Sequence, residues 1–173
     1  WIIRRFSQHA IPAEEAGADI IVVTCSSTSP AVDIVKKFVS CPVLKIDEPM
    51  AEAAVAKGRR IGIVATVATT LDPTSSLLRQ KASEVGKEIF ISTALCQEAF
   101  QAILQGDTER HDRVVMEKAI ELARKVDLLL LAQGSMARLA SPLSQRVSIP
   151  VLSSPSLFVE RLKSMLRASG EGK

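Results

Sequence analysis

Residues 18–29 read Ala-Asp-Ile-Ile-Val-Val-Thr-Cys-Ser-Ser-Thr-Ser. Ile20, Ile21, Val22 and Val23 form an unbroken β-branched run, the pattern of a strand buried on both faces in a parallel sheet. The run then gives way to Thr24-Cys25-Ser26-Ser27-Thr28-Ser29, small polar residues that suit a strand-to-helix turn and the N-cap of the next helix. A thiol at the carboxyl end of a parallel strand stands where open α/β sheets place their ligands. Backbone N–H groups at the start of a helix favour an anion and lower a thiol pKa. One short segment thus offers a candidate thiolate, Cys25, and a candidate carboxylate cradle, Ser26, Ser27 and Thr28.

The same alternation runs outward along the chain. Helices are predicted over 2–16, 31–39, 48–57, 75–85, 96–104, 109–125, in part of 135–146, and over 156–168. Strands are predicted over 19–24, 43–46, 60–66, 88–92, 127–132 and 151–152. Pro49 suits the first turn of its helix and Gly58 its stop; Asp72-Pro73-Thr74 reads as the cap of the helix beginning at Ser75. The tail after Ser169 is expected to fray. Strands alternating with helices define an α/β fold with a largely parallel sheet and right-handed crossovers.

An internal repeat sharpens this reading. Asp19-Ile-Ile-Val-Val-Thr is followed by Cys41-Pro42-Val43-Leu44, and Asp127-Leu-Leu-Leu-Leu-Ala by Ile149-Pro150-Val151-Leu152. The Asp-to-Pro spacing is 23 positions in both, at an offset of 127 − 19 = 108. That offset sets Cys25 opposite Gln133, Ser26 opposite Gly134 and Ser27 opposite Ser135. A duplicated α/β unit explains it: two similar lobes, each a mainly parallel sheet flanked by helices, related by a pseudo-twofold with a cleft between them. Lobe one is expected over 1–58, lobe two over 59–155, and a helix over 156–173 that packs back on lobe one. The strand at Ile61 has no counterpart before Asp19; by the same offset it would begin about 47 positions upstream of Trp1, which leads us to expect an upstream segment carrying the first strand of lobe one.

Composition narrows the function classes. Apolar residues are 47% of the 173, aromatics only 3%, so the core is built from Val, Ile, Leu and Ala. The net charge of +3 is spread along the chain, with no basic block or basic–aromatic interleaving to suggest nucleic acid. No apolar run approaches the roughly 18 residues of a membrane span. Three cysteines do not form a disulfide framework, and a reducing, cytoplasmic setting is expected.

Position alone leaves Cys25 open between catalysis and burial; the polar turn and helix start favour function. Cys41, before Pro42 at a strand start, and Cys96, at the start of an apolar helix, are read as packing residues, with Cys96 the only other thiol near a site. Ser26, Ser27 and Thr28 can serve a carboxylate or simply cap the helix. Thr66, Thr69 and Thr70 form a matching polar turn after the strand at Ile61, and Gln133, Gly134 and Ser135 a third. His9 and His111 are the only histidines; His111 is placed on or near a helix surface. No pair has metal-ligand spacing, and no phosphate-binding Gly-rich loop or Ser-His-Asp signature occurs.

Val23-Thr24-Cys25-Ser26-Ser27-Thr28, Pro42-Val43-Leu44, Ile61-Gly62-Ile63-Val64-Ala65-Thr66 and Leu131-Ala132-Gln133-Gly134-Ser135-Met136-Ala137 resemble the aspartate/glutamate racemase superfamily. That superfamily also holds hydantoin racemases, maleate isomerases and arylmalonate decarboxylases. The resemblance spans nearly the whole chain apart from the family's N-terminal strand. It implies two α/β lobes with the active site between them, no cofactor (neither pyridoxal phosphate nor metal), a small carboxylate as substrate, and frequent homo-oligomers. It further implies that two cysteines, one from each lobe, flank the substrate Cα. Cys25 matches the first, and Ser26, Ser27 and Thr28 match the carboxylate-binding residues after it. Thr66, Thr69 and Thr70 match the second-lobe polar turn. The second cysteine is replaced: the family's Gly-Cys-Thr stands here as Ala132-Gln133-Gly134, and glutamine is no acid or base near neutral pH. The leading expectation is a racemase or isomerase of a small carboxylate; the alternatives are a single-thiol, decarboxylase-like lyase and a non-catalytic carboxylate-binding protein.

Overall fold

The computed structural model describes residues 1–170. In chain order the elements are α1 (Ile2–Glu15), β1 (Ile21–Val23), a 3₁₀ turn (Ser26–Thr28), α2 (Ser29–Val35), β2 (Val43–Lys45), α3 (Glu48–Lys57), β3 (Arg60–Ala65), α4 (Ala68–Glu84), β4 (Phe90–Leu95), α5 (Gln97–Leu104), α6 (Thr108–Ala123), β5 (Leu128–Leu131), a second 3₁₀ turn (Gly134–Leu139), α7 (Ala140–Ser144), β6 (Val151–Ser153) and α8 (Ser154–Gly170). The residues after Gly170, part of the tail expected to fray, lie outside the described ones.

All strand pairs are parallel: β1 with β2 in one sheet, and β4-β3-β5-β6 in the other. The repeat holds at the level of register. Ile21, Val22 and Val23 pair with Val43, Leu44 and Lys45; Leu129, Leu130 and Leu131 pair with Val151, Leu152 and Ser153. Each of these pairs is displaced by 108 positions. Even the first ladder bond repeats: Ile21 N donates to Pro42 O at 2.9 Å and Leu129 N to Pro150 O at 2.9 Å. The 3₁₀ turns after β1 and β5 begin at Ser26 and Gly134, again 108 apart.

The central strands β3 and β5 are buried on both faces, while the edge strand β4 is partly exposed. Ile61, Ile63, Leu128 and Leu130 pack with Met50, Ala54 and Leu78 on one face; Val64, Leu129 and Leu131 pack with Val115, Ala119 and Leu143 on the other. This is why the strand sequences read as continuous apolar runs rather than alternating ones. Gly62 lies where α6 crosses β3: a Cβ there would come 2.8 Å from Leu129 Cδ2 and 3.0 Å from Leu122 Cδ2. Gly62→Ala is therefore expected to lower stability by about 1–3 kcal/mol, the usual cost of overpacking, read as a lower urea midpoint with unchanged m.

Several sequence boundaries need correction. The helix expected from Ser75 with an Asp72-Pro73-Thr74 cap begins instead at Ala68, with Val67 as N-cap and Pro73 inside it. Its buried Thr70, Thr74, Leu77 and Leu78 recur at i, i+4, i+7 and i+8, so tertiary burial of one stripe overrides the breaker. β4 runs on to Leu95 rather than stopping at Ser92, because its ladder with β3 continues through Ala65↔Leu95. α2 begins at Ser29 and ends at Val35, short of the expected 31–39. The partly helical 135–146 stretch resolves into the second 3₁₀ turn and α7.

Asp127 fastens the starts of β3 and β5. Its Oδ2 accepts from the N–H groups of Arg59 (2.9 Å) and Arg60 (2.8 Å), and Oδ1 from Arg60 Nε (2.9 Å). These backbone donors, then the Arg60 side chain, pull the carboxyl down to about 2. The folded value lies below the ordinary 3.8, so the ionised form stabilises the fold above that pH and the contribution is lost as pH falls toward 2. Asp127→Asn should be less stable than the parent at neutral pH, with the difference closing on acidification through that window. Paired thermal melts from pH 5 to 2 check it, and a constant difference would refute it. Its repeat counterpart Asp19 is exposed: among the described residues, β1 has a strand on one side only.

Candidate functional site

Parallel strands bring their carboxyl ends together, and there the polar turns fall. Cys25 follows β1 in extended conformation (φ −118°, ψ 111°) at the head of the first 3₁₀ turn. The backbone carbonyl of Cys25 accepts from Thr28 N at 3.0 Å and from Thr28 Oγ1 at 2.9 Å, which fixes the turn that carries the thiol. The Cys25 side chain is exposed. Thr66 follows β3, Thr69 and Thr70 lie in the first turn of α4, and Gln133 follows β5 as the N-cap of the second 3₁₀ turn. Thr66 and Thr70 are buried; Thr69, Gly134 and Ser135 are exposed.

Two contacts bring the lobes' turns together. Ser26 Oγ donates to the carbonyl of Ala132 at 3.5 Å, and Ser27 Oγ lies 3.5 Å from Thr70 Oγ1. The residue after Cys25 thus touches the residue before Gln133. Gln133 itself reaches sideways: its Oε1 accepts from Thr66 N at 2.6 Å and from Thr66 Oγ1 at 3.0 Å. The expected residues do not share one cavity. Cys25, Thr24 and Thr28 line a groove of about 350 Å³ with Trp1, Phe6 and His9. Thr66 lines another of about 400 Å³ with Gln97, Glu98 and Phe100. The Ser26–Ala132 and Ser27–Thr70 contacts join the Cys25 turn to the other two turns.

The other thiols differ from Cys25. Cys96 is 2% exposed, and burial pushes its thiol up to about 11. Cys41 is also raised, first by burial and then by the neighbouring Glu14 carboxylate, whose Oε1 accepts from Cys41 N at 2.7 Å. Both disfavour thiolate near neutral pH. Among the described residues no three His, Cys, Asp or Glu side chains are grouped to hold a metal ion, and no helix is long and apolar enough to cross a membrane.

Sequence reasoning missed several polar groups. His111 is buried, not on a helix surface: its Nδ1 lies 2.7 Å from Asp112 Oδ1, and Asp112 also pairs with Arg138 on the second 3₁₀ turn. The same ring nitrogen lies 3.5 Å from Arg138 Nη2. Position 111 continues the inward stripe of Val115, Ala119 and Leu122 one turn back along α6, a signal the helical spacing carried. Asp47 is fully buried and accepts from Ser29 Oγ at 2.9 Å, tying the starts of α2 and α3. Glu98 sits just past the end of β4; extending β4 to Leu95 would have placed it beside Thr66 by the strand-end rule.

Paired parallel α/β units whose polar turns meet at the strand ends define a class of two-lobed α/β proteins. The model of the Asp/Glu/Hydantoin racemase family matches residues 4–162, and the chain belongs to that family. It is 32% identical over 135 residues to the glutamate racemase of Aquifex pyrophilus, covering 75% of this chain and 51% of that protein. Glutamate racemase from Francisella tularensis in complex with D-glutamate superposes with a TM-score of 0.75 at 18% identity, covering 98% of this chain and 64% of that one. Allantoin racemase from Klebsiella pneumoniae gives 0.69 at 21%, covering 97% and 67%. The chain spans about half the length of the curated relatives it matches.

Proposed function

We propose that this protein is a cofactor-independent racemase or isomerase of a small carboxylate, such as aspartate, glutamate or a hydantoin-like acid, with Cys25 as its acid/base. The observation that carries the reading is the contrast among the three thiols. Cys25 is exposed at a strand's carboxyl end beside Thr24 and Thr28, whereas burial raises Cys41 and Cys96. The thiolate would take the α-proton and become the thiol. The electron pair left on carbon would pass into the adjacent carboxylate, held by Ser26, Ser27, Thr28 and the Thr66, Thr69, Thr70 turn with Gln133, Gly134 and Ser135. Inversion then needs a proton on the opposite face, which water supplies; the hydroxide left takes the proton from the Cys25 thiol and restores the thiolate.

A second reading is favoured by Gln133, whose carboxamide is held by Thr66. With no second acid, a single thiol could protonate a carbanion formed by loss of carbon dioxide, as in a decarboxylase-like lyase. The lobe boundaries 1–58 and 59–155 with a closing helix over 156–173, a cytoplasmic setting and assembly into homo-oligomers belong to the same proposal. The test is α-proton exchange in heavy water with aspartate, glutamate, hydantoins and substituted malonates, followed by proton NMR and chiral analysis. Deuterium at the α-carbon with inversion supports the racemase. Loss of carboxylate with one product enantiomer supports the lyase. Neither reaction with any of these acids would defeat both.

A further inference from the structure

α6 and the segment from the second 3₁₀ turn to the end of α7 enclose a groove of about 550 Å³, within the roughly 300–1,000 Å³ of small-molecule sites. Its walls divide by chemistry. Met116 and Ile120 of α6, both half-buried, face the groove with the buried Leu139 and the exposed Pro142. Each wall also brings one exposed guanidinium, Arg113 from α6 and Arg146 from just past α7. Among the described residues Arg60, Arg138 and Arg161 pair with carboxylates, whereas Arg113 and Arg146 pair with none. Glu117, also in the groove, stands four residues after Arg113, an ordinary spacing for an ion pair on a helix, yet the two do not pair. Asp112 lines the groove as well, but its carboxylate is taken by Arg138 and His111. The groove thus keeps two open guanidinium groups against one open carboxylate, beside apolar surface.

We infer that this groove is a binding site for a small organic anion. Its single oxyanion head, a carboxylate or a phosphate, is held by Arg113 and Arg146, and its apolar body lies on Met116, Ile120 and Leu139. The planar fork of a guanidinium matches either head and is only weakly hydrated, so an arginine with no carboxylate inside the chain takes one from a ligand. The apolar wall rewards a body that an inorganic ion lacks. Glu117 repels a second negative charge and so limits the ligand to one head. None of Cys25, Thr66 and Gln133 lines this groove, and the inference stands whatever reaction the strand ends perform. The site still adjoins that region. Leu139 belongs to the 3₁₀ turn that Gln133 caps, and Asp112 holds Arg138 of the same turn, so a bound anion packs against the support of that turn.

The test is NMR titration of the 173-residue chain carrying labelled methionine methyls, of which there are four. Met116 lines the groove, whereas Met50 and Met136 are fully buried elsewhere; Met116→Leu assigns its signal. The probes are hexanoate, hexyl phosphate, hexanol and hexylammonium, which share a body and differ in the head. Both anions should shift the Met116 methyl saturably and bind about tenfold tighter than hexanol, with hexylammonium no tighter than hexanol. Arg113→Gln and Arg146→Gln should each weaken the anions about fivefold and leave hexanol unchanged. Glu117→Gln should tighten them about twofold, by removing a like charge. All three positions are exposed, and thermal melts confirm that the variants fold. A tighter hexanoate or a tighter hexyl phosphate supports the site in either case and names the head it takes. Equal binding of the anions and hexanol would overturn the inference. So would anion binding untouched by both arginine substitutions, or no shift of Met116 with either anion.

Discussion

Cys25→Ala should lower α-proton exchange by about 10²–10⁴-fold, the range a positioned acid or base contributes. The substitution removes only Sγ. The turn is held by Thr28 bonding to the backbone carbonyl of residue 25, which alanine keeps, so substrate affinity and stability should hardly move. The loss should fall on kcat with KM nearly constant, the pattern of an interaction made only in the transition state. Cys25→Ser should behave almost the same, because a hydroxyl at this exposed position is far less acidic than a thiol. Cys41→Ala and Cys96→Ala are the controls: both thiols are driven up by burial and should leave exchange unchanged. The measurement is deuterium incorporation by proton NMR at equal enzyme concentration. Exchange that survives in Cys25→Ala would remove the thiol from the mechanism, whatever the family.

The architecture was legible because burial on both faces writes itself into sequence. The runs at Ile61–Ala65 and Leu128–Leu131 admit few places other than the middle of a covered parallel sheet. The run at Ile20–Val23, expected to be buried on both faces, gives instead the part-buried β1 of a two-stranded sheet among the described residues. The 108-residue repeat was legible for the same reason, and its Asp and Pro landmarks have physical work. Asp127 ties two strand starts through backbone donors, and Pro150 supplies a carbonyl but no N–H at the edge of β6. Where the reading failed, a local signal competed with a distant one. Asp72-Pro73 is a strong local breaker, yet the face of α4 is set by what Thr70, Thr74 and Leu78 pack against. The strand expected over 88–92 stops short of Leu95, because the extent of β4 is set by its pairing with β3.

The site was legible in outline only. Strand ends followed by polar turns located Cys25, Thr66 and Gln133, since topology alone gathers parallel strand ends at one edge. That Gln133 spends its oxygen on Thr66 could not be read, because it depends on the spacing of β3 and β5 as neighbours. Nor could the partners of His111, Asp112 and Arg138, which are joined across α6 and the second 3₁₀ turn. Polar pairings between elements follow register and crossing, which one sequence encodes only through the completed fold.

Gln133→Cys should increase inversion at the α-carbon by about 10²–10⁴-fold over the parent, by adding an acid on the face that now relies on water. Position 133 is related to Cys25 by the repeat, and β5 and β1 hold the same register to their partners, so the introduced thiol starts from the counterpart of the Cys25 position. Removing the carboxamide also releases the Thr66 N–H and hydroxyl, which now bond to Gln133 Oε1. Donors of that kind favour a neighbouring thiolate. The balance of the step is simple: one thiolate accepts the α-proton, and the opposite thiol delivers its own to the carbanion, so each turnover exchanges the roles of the two sulfurs. In heavy water the parent should incorporate deuterium faster than it inverts, because Cys25 returns a proton to the face it took it from. In the variant the two rates should converge. Chiral analysis and NMR on one time course separate them. Unchanged inversion in a folded variant that still exchanges through Cys25 would show that position 133 does not face the α-carbon, and that the two turns meet in the fold without acting on one substrate.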